Sequence, residues 1–249
     1  MGAGGVSPGQ FCNSCRCLGS KVSTIGIYAD DTRWQSEHFF NLTQAHFARL
    51  LADYADVSDL DRKLLAAERR NLQFYGFGIK GFVLSMIETA VEITGGKVPA
   101  AIIQEILAAG REMLTHPALP LPQVRETLED LNKAHRLVLI TKGDLFDQER
   151  KLAQSGLGEL FHAVEIVSDK AEHTYQRIFN RHGHGPDRAM MVGNSLKSDI
   201  IPALAVGCWG VFIPHDLTWE HEHADAPLGL PRFKQIASFA ELGALIAKI

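Results

Sequence analysis

The chain has 249 residues, a formal net charge of −4 with histidine neutral, and a hydrophobic fraction of 46%. That apolar share, with 22% charged residues, excludes a disordered chain, and the length admits one large domain or two smaller ones. A mildly acidic balance argues against a nucleic-acid binder, which needs a basic stripe, and no uncharged apolar run is long enough to cross a bilayer.

Residues 1–20 are rich in Gly, Ser and Cys and lack the apolar stretch of a secretory signal, so they are expected to be a leader or tag outside the fold. Three of the 4 cysteines crowd there as Cys12, Cys15 and Cys17, and Cys208 lies far away. A closed zinc site needs four ligands, and no second CxxC pair stands at a suitable distance. Reduced thiols and a cytoplasmic setting are the expectation.

A short apolar strand pattern runs from Val22 to Tyr28 and ends in Ala29-Asp30-Asp31-Thr32. From Ser36 to Ala118 the pattern is helical throughout. Phe40, Phe47, Leu50, Leu51 and Tyr54 mark one helix face. Ile79, Phe82, Val83, Met86, Ile87, Ala90 and Val91 mark another. Gly95-Gly96 stops that helix, and Pro99 suits the first turn of the next. The segment reads as four helices without strands.

After Pro122 the texture changes to alternation. Strands are predicted over 137–141, 164–167, 189–193 and 210–214, with helices beginning near Asp144, Glu172 and Lys197 and a last one after Ser238. Short β-rich runs joined by single helices imply parallel strands with right-handed crossovers. The predicted fold is therefore α/β, a doubly wound, Rossmann-like parallel sheet carrying an inserted all-helical cap. The expected division is an α/β core of 21–35 and 119–249, with the helical cap over 36–118.

Open α/β sheets bind ligands at the carboxyl ends of their strands. Polar residues collect there: Asp30, Thr141, Lys142, Lys170, Asn194 and Asp199. A hydroxyl, ammonium groups and carboxylates on one rim suit a phosphoryl group with a hard cation.

In this order, those segments resemble the haloacid dehalogenase superfamily of hydrolases, most of which are Mg²⁺-dependent phosphatases. The resemblance covers the chain after residue 20 and includes a small helical cap following the first motif. That motif runs Asp-x-Asp-x-Thr, and here it reads Tyr28-Ala29-Asp30-Asp31-Thr32. The resemblance implies that residue 28 is the nucleophile position and that Asp30 is the acid/base. By the same resemblance Thr141 binds the phosphoryl group and Lys170 steadies its charge. Asp30 (through its carbonyl), Asn194 and Asp199 would hold Mg²⁺.

Two departures qualify that reading. Tyr28 stands where the nucleophilic carboxylate belongs, and a phenol with a pKa near 10 is a poor anionic nucleophile at neutral pH. Shifting the register to Asp30 places Thr32, not a carboxylate, two residues on. Asn194 stands where many relatives carry Asp; its carbonyl can ligate Mg²⁺ without adding charge. Both changes weaken the expected cation site. The expected function is a phosphatase of a small phosphorylated metabolite, with turnover in doubt. The alternatives are a phosphate-binding relative without catalysis and a 2-haloacid dehalogenase, which also needs the missing carboxylate.

The remaining polar features read more plainly. His221 and His223 share neither a strand face nor a helix face, so the segment from His215 to His223 is expected to be a solvated loop in which Trp219 lies by the site. His182-Gly183-His184-Gly185 closes a helix with glycine in the left-handed conformation. Arg33 and Trp34 stand where the chain enters the helical segment, and Lys197 flanks the rim.

Overall fold

A computed structural model describes residues 22–28, 37–118, 120, 122–215 and 224–249. Strand β1 (Thr24–Ile27) is followed by four helices, α1 (Glu37–Leu50), α2 (Val57–Tyr75), α3 (Ile79–Ile93) and α4 (Ala100–Thr115). The chain then alternates through α5 (Val124–Asn132), β2 (Arg136–Lys142), α6 (Leu145–Ser155), β3 (Ala163–Val167), α7 (Glu172–His182) and β4 (Ala189–Gly193). It closes with α8 (Ile201–Ala205), β5 (Trp209–Phe212), β6 (Phe233–Gln235) and α9 (Leu242–Ile246). No helix among the described residues is long and apolar enough to cross a membrane.

The strands form one parallel sheet of 6 in the order β3-β2-β1-β4-β5-β6. Ile25 pairs with Leu137 on one side and Met190 on the other, so β1 lies inside the sheet with neighbours from far along the chain. All four β1 residues are buried, as a strand covered on both faces requires. Gly26 is a packing requirement: a Cβ there would lie 2.8 Å from both Ile140 Cδ1 and Phe179 Cζ. The strand order reverses between β1 and β4, which opens a crevice at their carboxyl ends.

Helices α1–α4 bury a cluster of their own, including Phe47, Leu51, Leu60, Leu64, Phe82, Met86 and Ile106. In α2, Leu60, Leu64, Ala67 and Asn71 recur at three-and-four spacing on the buried face. The Asp56 carboxylate accepts the Asp59 N–H at 2.9 Å and starts that helix, while Gly76, with φ of 68°, ends it. The first and last turns of the four-helix segment meet, with the Phe39 and His116 rings 3.7 Å apart.

Several local expectations change. Tyr54 and Val91 point outward, 45% and 41% exposed, so the apolar stripes are narrower than their periodicity implies. At the end of α7 the extended residue is Gly183, and the left-handed glycine is Gly185 (φ 94°). The helix expected near Lys197 begins as a π-helical turn, Leu196–Ile200, before α8. Helix α5 and strand β6 were not anticipated. Cys208 is buried, and burial pushes its thiol up to about 12, leaving it unreactive. Cys12, Cys15, Cys17, Arg33, Trp34, Trp219, His221 and His223 lie outside the described residues.

Candidate active site

The crevice opens where β1 and β4 end. Tyr28 continues β1, its N–H donating to the Val192 carbonyl at 2.9 Å, which anchors its backbone beside the end of β4. Lys170 follows β3, and its backbone N–H donates to the Asp169 carboxylate at 2.8 Å. Its ammonium, in turn, donates to Asp199 Oδ1 at 2.6 Å and lies 3.3 Å from the centre of the Tyr28 ring. Three of the predicted site residues thus meet around one cation. Tyr28 contributes a ring face, a cation–π partner where a carboxylate would form an ion pair.

The loop after β4 builds the rest of this wall. The second Asp199 oxygen accepts the Ser195 N–H at 3.1 Å, and Ser195 Oγ accepts the Ser198 N–H at 2.9 Å. Asp199 is fully buried and Lys170 is 4% exposed, so the ion pair is withdrawn from solvent. Gly193 permits this closeness, because a Cβ there would collide with the Asp199 carboxylate. Asn194 is 6% exposed, and its Oδ1 has no hydrogen-bond partner among the described residues.

Thr141 is the penultimate residue of β2, at the expected strand end, but its hydroxyl donates to Gln148 Oε1 at 3.2 Å, and the residue is 1% exposed. The neighbouring Lys142 reaches the crevice instead. Its ammonium donates to Ser198 Oγ at 2.9 Å and lies 3.9 Å from the centre of the Phe77 ring. Asp30 lies outside the described residues.

The crevice continues into a cavity between the strand ends and helices α1–α3. Tyr28, Lys142, Lys170, Asn194 and Ser198 line its floor. Phe40, Gln44, Glu68, Asn71 and Phe82 line the helical side, and Asp147, Gln148 and Lys151 close one flank. Asp147 is held by Arg150 at 2.8 Å and Lys151 at 3.4 Å. Lys80 of α3 donates to both oxygens of Asp144 at 2.9 Å, joining the helices to the loop after β2.

Gln44, Glu68, Asn71, Asp147, Gln148 and Lys151, and Phe77 which also lines the cavity, were missed in sequence. Helical periodicity marks apolar positions, and Glu68 reads there as one more charged residue on α2.

Burial pushes the Glu68 carboxyl up to about 7. Because this folded value lies above the unfolded one, its contribution favours the fold at low pH and is lost as pH rises from about 4.5 through 7. The expected loss is at most about 3 kcal/mol. Urea unfolding at pH 5 and pH 8 checks it: Glu68→Gln should narrow the difference, and an unchanged difference would exclude Glu68 as its source.

A sequence model of the haloacid dehalogenase-like hydrolases matches residues 28–207, and the chain belongs to that family. It is similar to a haloacid dehalogenase-like family hydrolase from Xanthomonas campestris, with 38% identity, a TM-score of 0.83 and 93% of each chain covered. It is also 34% identical over 114 residues to the glyceraldehyde 3-phosphate phosphatase of Methanothermobacter thermautotrophicus. That match spans 43% of this chain and 50% of the relative, so it reaches only half of the relative's length. L-2-haloacid dehalogenase from Xanthobacter autotrophicus shares the fold at 14% identity, with a TM-score of 0.59 and coverage of 90% of this chain and 98% of that one. One fold thus serves both chemistries, and the site must decide between them.

The family implies Mg²⁺, a cation that asks for oxygen donors and negative charge. Among the described residues, Asn194 Oδ1 is a buried oxygen with no partner. Both Asp199 oxygens are held, by Lys170 and Ser195, and position 28 presents a phenol. No three His, Cys, Asp or Glu side chains among the described residues converge as a cation site. This donor set falls short of a Mg²⁺ site.

Proposed function

We propose that this chain is a phosphatase-type member of its family, working in the cytoplasm, that binds a small phosphorylated molecule and turns it over poorly. The observation that carries this reading is the Lys170 ammonium held between the Asp199 carboxylate and the Tyr28 ring. The cation that would face a carboxylate nucleophile at position 28 faces an aromatic ring instead, and the carboxylate it does meet among the described residues, Asp199, is buried and held in an ion pair. In this reading residues 36–118 are a cap over a core made of 21–35 and 119–249. Lys142, Lys170 and the backbone N–H groups of the loop after β4 hold the phosphoryl group, with Thr141 behind them through Gln148. Asp30 serves proton transfer, while Asp30, Asn194 and Asp199, the residues the family would use for Mg²⁺, make too poor a donor set to hold the ion firmly. The likeness to a glyceraldehyde 3-phosphate phosphatase favours phosphoryl over haloacid chemistry.

Calorimetry with inorganic phosphate tests the binding half. The unmodified chain should bind it, and Lys142→Met should weaken binding by roughly tenfold or more. No binding overturns the phosphoryl site. Robust phosphate release from an aryl phosphate by the unmodified chain overturns the account of Tyr28.

A further inference from the structure

Glu68 faces the cavity from α2, and its surroundings differ from those of the other acids there. Asp147 is held by Arg150 and Lys151, and Asp199, beneath the floor, is held by Lys170. Glu68 has no hydrogen bond or ion pair among the described residues. The nearby amides are already engaged as donors: Asn71 Nδ2 donates to Ser85 Oγ at 3.2 Å and Glu88 Oε2 at 2.6 Å, and Gln44 Nε2 donates to Asp61 Oδ1 at 2.9 Å. A carboxylate drawn out of water without a partner is costly, and a bound cation removes that cost. The upward push on its carboxyl is the same cost seen as proton affinity.

The cavity is therefore two-ended. Its floor offers the Lys142 ammonium beside the buried Lys170–Asp199 pair, and its helical side offers a carboxylate with no ion-pair partner among the described residues. We propose that Glu68 is a specificity-determining residue that pairs with a protonated amine on the non-phosphate end of the ligand, so that the site prefers phosphorylated amino compounds. The inference rests on the phosphoryl-binding reading of the same cavity. A ligand of this class carries its anion to the strand ends and its cation to α2, matching both ends of the cavity. An aryl or alkyl phosphate fills the floor alone and leaves the half-buried Glu68 carboxylate facing an apolar group.

The test is calorimetry at pH 8 with phosphate esters of amino alcohols having two to five carbons, each compared with the alkyl phosphate of the same length. Inorganic phosphate is the common control. The amino ester should bind roughly tenfold or more tightly than its alkyl counterpart at the length that spans the cavity, as a charge-assisted hydrogen bond implies. Glu68→Gln should remove that preference. Equal affinity within every pair, or a preference that survives in Glu68→Gln, overturns the assignment. The first comparison uses only the unmodified chain and so stands whatever the variant's stability. Inorganic phosphate binding without any amine preference sinks the role of Glu68 alone. Failure of every phosphate to bind sinks the phosphoryl reading and this inference together.

Discussion

Tyr28→Asp should raise hydrolysis of a generic aryl phosphate by at least about 10³-fold and make it depend on added Mg²⁺. Loss of a nucleophile has cost on the order of 10⁶ in turnover in a well-studied protease, so even partial restoration is a large effect. The substitution acts twice. It supplies a carboxylate that can attack phosphorus, and it adds a second negative oxygen donor beside neutral Asn194 and the already paired Asp199. It also exchanges the ring contact with Lys170 for an ion pair in a buried setting. Phosphate release with and without Mg²⁺ measures the outcome. Parity between the variant and the unmodified chain would mean that residue 28 is not the limiting defect. Tyr28→Asn separates the two contributions: it is small and polar but cannot attack, and should stay near the unmodified rate.

The second large effect concerns stability. Lys170→Met should cost about 3–5 kcal/mol in urea unfolding, because it leaves the Asp199 carboxylate fully buried without its cation. Lys170→Met combined with Asp199→Asn should recover much of that loss, since removing both charges removes the desolvation problem. Simple additivity of the two single changes would show that the pair contributes nothing as a pair. The Tyr28 ring loses its ammonium partner in both variants, so this aromatic contribution cancels from the comparison.

Much of this architecture was legible in the sequence because parallel strands are buried on both faces and appear as apolar runs. Val138 to Ile140 and Met190 to Val192 are nearly inaccessible to solvent, and their neighbours in sequence mark the strand ends where the crevice forms. What escaped has physical reasons. Strand β6 is three residues long with one buried side chain, Phe233, too short for any period to register. Helix α5 is short and mostly polar outside Val124, Leu128 and Leu131. The Thr141 hydroxyl is at the expected strand end, but the partner it selects, Gln148, stands one helical turn into α6. Glu68 becomes part of the cavity only because α2 packs beside the strand ends, and no spacing on α2 alone carries that information.

The contact between the Phe39 and His116 rings has a consequence for how the chain assembles. Strand β1 must pair with β2, yet Thr24 and its partner Arg136 are separated by the whole helical segment. Closing so long a loop costs chain entropy before any strand pairing compensates it. Helices α1–α4 make mostly local contacts and bury their own apolar cluster, so they can form early. Once they do, residues 39 and 116 are neighbours, and the loop left to close shrinks to the short tethers on either side. The helices that wall the cavity then act as a splint, holding the two halves of the sheet close enough to join.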